Sequence, residues 1–189
     1  MEEKPDVGPR LRLLRGGRHH EITFRSLRIV AAPWNRPPFP VDAVVYEDDT
    51  YHVLSADPEF QEVTEHPIRL MTEVLAARPS IPGEVIIKRG APLRFLVVIH
   101  DLNQDPTWRE EWIIAGLDGI FQQADERKLE ALALPLLGAR YASLERERFA
   151  ALLGKRLSQL SVTSLKRLWL AAPDGTNGDL LRLLEMGRE

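Results

Sequence analysis

The run Phe95-Leu96-Val97-Val98-Ile99 turns polar in one step at His100-Asp101-Leu102-Asn103. An unbroken apolar run too short for a helix and rich in β-branched residues reads as a strand buried on both faces of a sheet, with His100 at its exit. A second strand-like run, Glu84-Val85-Ile86-Ile87-Lys88, precedes it across Arg89-Gly90-Ala91-Pro92. Burial on both faces requires other layers above and below, so the pattern predicts an α/β structure with this strand at the centre of its sheet. In open α/β sheets ligands sit outside the carboxyl ends of the strands, which marks the His100 exit as the place for a site.

The rest of the chain supplies the layers. His20-Glu21-Ile22-Thr23-Phe24 alternates as a half-buried strand, and Leu11-Arg12-Leu13-Leu14 before Gly16-Gly17 can pair with it as a hairpin. The arginines around it, Arg10 to Arg28, read as charged guards on edge strands or as a phosphate-binding patch. Leu27 to Ala32 is the next strand, stopped by the proline-rich loop Pro33 to Pro40, and Asp42-Ala43-Val44-Val45-Tyr46 re-enters the sheet. Apolar residues between Asp57 and Leu75 recur at helical steps, with the stronger helix starting near Pro67. Thr107 with Glu110 has the spacing of a capping box opening a helix striped by Trp108, Trp112, Ile113, Leu117, Ile120 and Phe121. Leu129 to Leu134 is a strand, Ser143 opens a helix from Leu144 to about Leu157, Ser164 to Leu170 is the last strand, and Asp179 to Met186 a closing helix. Alternation of strands and helices predicts a three-layer α/β/α sandwich around a mixed sheet.

Length and composition fit one domain over residues 1–189, with 1–9 a flexible start. A net charge of -3 gives no general attraction to nucleic acid or to anionic membrane, and no window approaches the roughly 18 apolar residues of a spanning helix. Neither nucleic acid nor membrane is an expected partner. The chain has no Cys, which excludes disulfides, thiolate nucleophiles and Cys-ligated zinc. Met1 to Asp6 lacks the apolar stretch of a signal peptide, and a cytoplasmic location is the expectation.

Chemistry-bearing motifs are few. Glu47-Asp48-Asp49-Thr50-Tyr51-His52 places three carboxylates and a His at a strand exit, readable as turn chemistry, as a metal cluster or as a proton-transfer group. Consecutive acidic residues are poorly spaced for one coordination sphere, and His19-His20 on a strand point to opposite faces, so no metal is expected. There is no Gly-x-x-x-x-Gly-Lys-Ser/Thr loop, no Gly-x-Ser-x-Gly elbow and no His-Glu-x-x-His helix, and Ser80, Ser143, Ser158, Ser161 and Ser164 lack any nucleophile context. No cofactor is expected. Oligomeric state is not readable from the pattern.

Taken in order, Ile29-Val30-Ala31-Ala32-Pro33-Trp34, Val41-Asp42-Ala43-Val44-Val45, Pro82-Gly83 leading to Phe95 to His100, and Leu132-Ala133-Leu134-Pro135-Leu136-Leu137-Gly138 resemble the macro domain, the ADP-ribose-binding module, over roughly Leu11 to Leu184. The resemblance implies its fold and a cleft at the strand exits. It also shows departures. The Gly-Asp-Ile turn whose Asp meets adenine in the family corresponds to Ala32-Pro33-Trp34, and Asn-Ala-Ala-Asn corresponds to Tyr46-Glu47-Asp48-Asp49. The family's Gly-rich diphosphate loop corresponds to Thr50 to Ser55, which has no Gly, and the second phosphate loop keeps Gly138 but continues Ala139-Arg140-Tyr141-Ala142-Ser143.

By this resemblance the ligand-facing residues are Asp48, Asp49, His52, Asp101, Asn103, Gly138, Ala139, Arg140 and Tyr141. The expected function is a divergent macro-like module, non-catalytic, for binding or interaction inside a larger bacterial assembly, with standard ADP-ribose binding lost or altered. Two alternatives stay open: a domain binding a nucleotide or ADP-ribose derivative, and a hydrolase in which Asp48, Asp49, His52 or His100 activates water. The partner is accordingly a nucleotide-like small molecule or a protein.

Overall fold

The computed structural model describes residues 20–54, 79–140, 142–160, 163–173 and 177–186. The strand expected at Leu11 to Leu14, the helix expected between Asp57 and Leu75, and Tyr141 lie outside the described residues. Within them the chain runs β1 (His20–Phe24), β2 (Leu27–Ala32), β3 (Ala43–Asp49), β4 (Val85–Lys88), β5 (Leu93–His100), α1 (Glu110–Glu126), β6 (Ala131–Pro135), α2 (Arg146–Gln159), β7 (Arg167–Ala171) and α3 (Asn177–Met186).

The strands form one mixed sheet in the order β1-β2-β7-β6-β3-β5-β4. Pairings from β2 through β7, β6 and β3 to β5 are all parallel, and β1 and β4 close the two edges antiparallel. Parallel neighbours explain the near-continuous apolar runs, because crossovers cover both faces of such strands. β5 is buried from Phe95 to His100, as expected. Its expected place at the centre of the sheet is corrected: β5 is next to the edge, and β6 holds the middle. Burial on both faces reports layers above and below a strand, and says nothing of how many strands lie beside it.

The described helices pack with one face of the sheet. Ile113, Leu117, Ile120 and Phe121 of α1, Phe149, Leu152 and Leu153 of α2, and Leu180, Leu181 and Leu184 of α3 share a core with Ile29, Val45, Phe95, Val97, Leu132, Leu134, Leu168 and Leu170. Fully burying each such side chain contributes about 1.5–3 kcal/mol. On the opposite face Ala32, Val44, Ala133, Trp169 and Ala171 pack with Phe39, Val41 and Tyr46. Trp34 lies flat over Tyr46 at 6.5 Å between ring centroids and meets the edge of Trp169 at 5.1 Å. The proline-rich loop thus folds back as an aromatic cover.

α3 starts at Asn177, two residues before the expected Asp179, and the starts of α1 and α2 also differ from the expected ones. α1 has Arg109 at its N-cap with no side-chain cap bond, so the capping box at Thr107 does not form. Backbone pairing takes Thr107 and Trp108 instead: Asp101 N donates to Thr107 O at 2.6 Å, and Trp108 bridges His100. α2 starts after Glu145, two residues later than expected, because Ser143 adopts a left-handed φ of 56° that no helix continues through.

α1 and α2 run side by side in the same direction. Arg148 makes a bidentate pair with Glu110 at 2.7 Å for both bonds, and Arg156 a second with Asp118 at 2.7 and 2.6 Å. Beyond the end of α2, the Asp125 carboxylate accepts the N–H groups of Thr163 and Ser164 at 3.0 and 2.8 Å. Exposed ion pairs of this kind contribute roughly 0.2–1 kcal/mol each, so their value is registration more than stability.

α1 packs tightly on the sheet at Gly116, where a Cβ would lie 2.6 Å from Val97 Cγ1. Gly116→Ala is therefore expected to lower stability by about 1–3 kcal/mol through overpacking, measured as a fall in the denaturant midpoint. Adding Val97→Ala, which opens the space, should recover part of that loss in a double-mutant cycle.

Candidate functional site

The exits of β3, β5 and β6 converge on one edge. Glu47, Asp48 and Asp49 end β3, and the β3–β5 ladder shifts register between Asp48 and Asp49, so that Asp49 lies opposite His100. The extra residue is Ile99 of β5, and the shift sets His100 beside the end of β3. Asp48 and Asp49 are fully buried, Thr50 and His100 nearly so. Buried carboxylates are tolerated only when hydrogen-bonded, and every one of these is.

Asp49 accepts the N–H groups of Tyr51 at 2.7 Å on Oδ1 and of Leu54 at 2.8 Å on Oδ2. Its two oxygens organise the loop that leaves β3. Asp48 accepts the Asp49 N–H at 3.0 Å on Oδ1, and its Oδ2 is 2.6 Å from His52 Nδ1. The other ring nitrogen of His52 is 3.0 Å from Ser80 Oγ. His52 itself has a φ of 61°, left-handed for a residue with a side chain, which costs on the order of 1–3 kcal/mol and persists because its neighbours hold it there. Ser80 is tied to the same loop through its N–H, which donates to Thr50 O at 2.8 Å.

Glu47 spans the other two exits. Its Oε1 accepts the Gly138 N–H at 2.9 Å, and its Oε2 is 3.4 Å from His100 Nε2. Gly138 has a φ of 80°, and a Cβ there would meet Ile113 Cδ1 at 2.9 Å, so both backbone and space require glycine. After β5, Asp101 closes an Asx turn: its Oδ1 accepts the Asn103 N–H at 3.0 Å and its Oδ2 the Gln104 side-chain amide at 2.6 Å. The Asn103 N–H, with the Gln104 and Asn103 side chains, holds the Asp101 carboxyl below the ordinary carboxylate range against the opposing effect of burial. Tyr51 and Asn103 meet across the gap, Asn103 Nδ2 donating to the Tyr51 hydroxyl at 2.8 Å. Burial raises the Tyr46 hydroxyl pKa, with Arg94 pulling it back in part.

Of the residues expected to face a ligand, the structure brings Asp48, Asp49, His52, Asp101, Asn103 and Gly138 to one edge. Their orientation differs from a ligand-facing set. Both oxygens of Asp48, Asp49 and Asp101 already serve hydrogen bonds within the protein. Asn103 and Arg140 are exposed, and Ala139 turns back with its N–H on Leu136 O at 3.0 Å. His100, a candidate for activating water, is 2% exposed and faces Glu47 rather than solvent. Among the described residues no three His, Asp or Glu side chains form a metal-holding group. Ser80 and Glu47 were not singled out as site residues. Glu47 shows itself only once Gly138 is seen to fold against it, and Ser80 stands 28 positions from His52 with no local spacing to mark it.

No family model matches the chain, and no curated protein matches it by sequence. Solved structures do match. They include the Oceanobacillus iheyensis macrodomain with ADP (15% identity, 89% of this chain and 94% of that one, TM-score 0.60). The macrodomain of Thermus aquaticus DarG matches at 19% identity over 78% of this chain and 99% of that one, TM-score 0.58. The Trypanosoma brucei macrodomain in complex with ADP matches at 13% identity over 86% of this chain and 69% of that one, TM-score 0.55. The chain has a macro domain-like fold, with a sequence far diverged from these neighbours.

Because its pKa is depressed in the fold, Asp101 stabilises the native state fully above the ordinary carboxylate range, near pH 4, and that contribution is lost as pH falls through the lower folded value. Asp101→Asn should thus be less stable than the parent at pH 7, and the gap between their unfolding midpoints should narrow on acidification from pH 5 to pH 2, by urea denaturation at each pH.

Proposed function

We propose that the chain is a binding module on a macro-like fold whose site takes a neutral, hydroxyl-rich, nucleoside-type ligand and has lost the standard grip on the diphosphate of ADP-ribose. The observation that carries this is the Glu47 carboxylate on the Gly138 N–H at 2.9 Å. Neighbours of the fold are solved with ADP and with ADPR, both of which bring a diphosphate. In this chain the N–H of the matched loop glycine already holds an anion of the protein's own. A diphosphate would have to displace Glu47 and then sit beside buried Asp48 and Asp49, against like-charge repulsion.

Three further features agree. The loop after β3 has no Gly and spends its Tyr51 and Leu54 N–H groups on Asp49. Ala32-Pro33-Trp34 supplies no carboxylate for adenine, and Trp34 packs on Tyr46 and Trp169. The polar groups at the outer rim, the Tyr51 hydroxyl and the Asn103 amide, are neutral donors and acceptors suited to sugar hydroxyls. Arg140, exposed beside Gly138, is suited to the ligand's outer edge.

Calorimetric titration with ADP-ribose is expected to show binding weaker than roughly 1 mM for the native chain. Glu47→Ala, which places at this position the residue of the resembled motif, removes the competing carboxylate and leaves the Gly138 N–H unsatisfied, lowering stability by about 1–3 kcal/mol. The same change should strengthen ADP-ribose binding tenfold or more. Micromolar ADP-ribose binding by the native chain would refute the reading. Adenosine titrated in parallel should give saturable heat that Asn103→Ala removes.

A further inference from the structure

We propose that Asp48, His52 and Ser80 form a nucleophile relay that hydrolyses carboxylic esters carrying a short apolar acyl group. The carboxylate–imidazole and imidazole–hydroxyl contacts of such a relay are both in place. Asp48 Oδ2 lies 2.6 Å from His52 Nδ1, and His52 Nε2 lies 3.0 Å from Ser80 Oγ. An ionised carboxylate can only accept, so Asp48 fixes the imidazole with its proton on Nδ1 and leaves the Nε2 lone pair facing the Ser80 hydroxyl. Relays of this kind are recognised by roles and geometry, whatever the chain order of their members.

The surroundings hold each member in place. Asp48 is fully buried, and its second oxygen is fixed by the Asp49 N–H at 3.0 Å. His52 is kept at a φ of 61°, and its own N–H donates to Asp49 O at 3.0 Å. Ser80 is locked to the His52 loop through the Thr50 carbonyl at 2.8 Å. The His52 side chain is 32% exposed and Ser80 half-buried, so the reacting end of the relay is open to a substrate while its carboxylate end is closed to water. Val53 and Ile81, the residues that follow His52 and Ser80, are exposed at 50% and 73%, and they are the apolar surface adjoining the relay in sequence.

The reaction balances without a cofactor. Ser80 Oγ adds to the acyl carbon as its proton passes to His52 Nε2, and the imidazolium so formed is stabilised by Asp48. The ester C–O bond then breaks, and His52 returns the proton to the departing alcohol oxygen. Water repeats the sequence on the acyl-serine, giving the carboxylic acid and free Ser80. Esters are favoured over amides because an alcohol oxygen leaves more readily than an amine. The relay uses neither Gly138 nor Glu47, so it stands or falls separately from the ligand reading above.

The test is covalent trapping of the full chain with a fluorophosphonate probe, in which the Ser80 Oγ–P bond forms and fluoride leaves. Peptide mapping of the native protein should place the adduct on Ser80, a readout that needs no variant to fold. His52→Asn, chosen because Asn tolerates the left-handed backbone, should slow labelling on the order of 10²-fold and abolish its dependence on a single deprotonation. Release of nitrophenolate from p-nitrophenyl butyrate should fall in parallel, and Ser80→Ala should abolish both. An adduct absent from Ser80, or His52→Asn labelling at the native rate with an unchanged pH profile, would overturn the proposal and leave the three residues as a loop staple.

Discussion

Three consecutive carboxylates driven into the interior at the end of β3 constrain this molecule more than any other feature. A carboxylate removed from water must find donors or remain at a cost of several kcal/mol, and Glu47, Asp48 and Asp49 find theirs in the loops after β3 and β6 and at the end of β5. Glu47 takes the Gly138 N–H after β6 and faces His100 at the end of β5. Asp48 takes His52, and through it reaches Ser80 before β4, while Asp49 takes the backbone of Tyr51 and Leu54. The loops are ordered because the charges are buried. Both faces of β3 are covered, so three consecutive side chains can alternate between faces and all be buried.

Much of the scaffold was legible in the sequence, for identifiable reasons. β2, β3 and β5 are apolar runs with abrupt polar ends, and buried parallel strands admit little else. The aromatic stripe of α1 marked its buried face at Ile113, Leu117, Ile120 and Phe121. Sheet order was not legible, because an apolar strand near the edge reads like one at the middle. Helix starts were misplaced where nonlocal pairing outweighed local capping, as when the bridge between Trp108 and His100 drew Thr107 out of its capping role. The acidic cluster lies at the strand exits, but its partners Gly138, His100 and, through His52, Ser80 are distant in sequence, and periodicity does not report such partners.

The likeness to solved macrodomains, at 13 to 19% identity, is a likeness of backbone path. Sheet and crossover helices tolerate such divergence because any well-filled apolar core preserves them. The strand exits do not share that tolerance. There each substitution changes which donors and acceptors point outward, and the fold alone carries no function across that change. Glu47 on Gly138 is the clearest case, a side chain holding the backbone group that the resemblance assigns to a ligand.

The contacts of α1 with α2 and the segment after it recur at one sequence offset: Glu110 with Arg148, Asp118 with Arg156, Asp125 with Thr163, each pair 38 residues apart. The two crossovers therefore behave as a vernier, aligned at start, middle and end. One residue inserted within either helix would rotate everything after it by about 100°. A change of length between the two helices would therefore undo all three pairings at once.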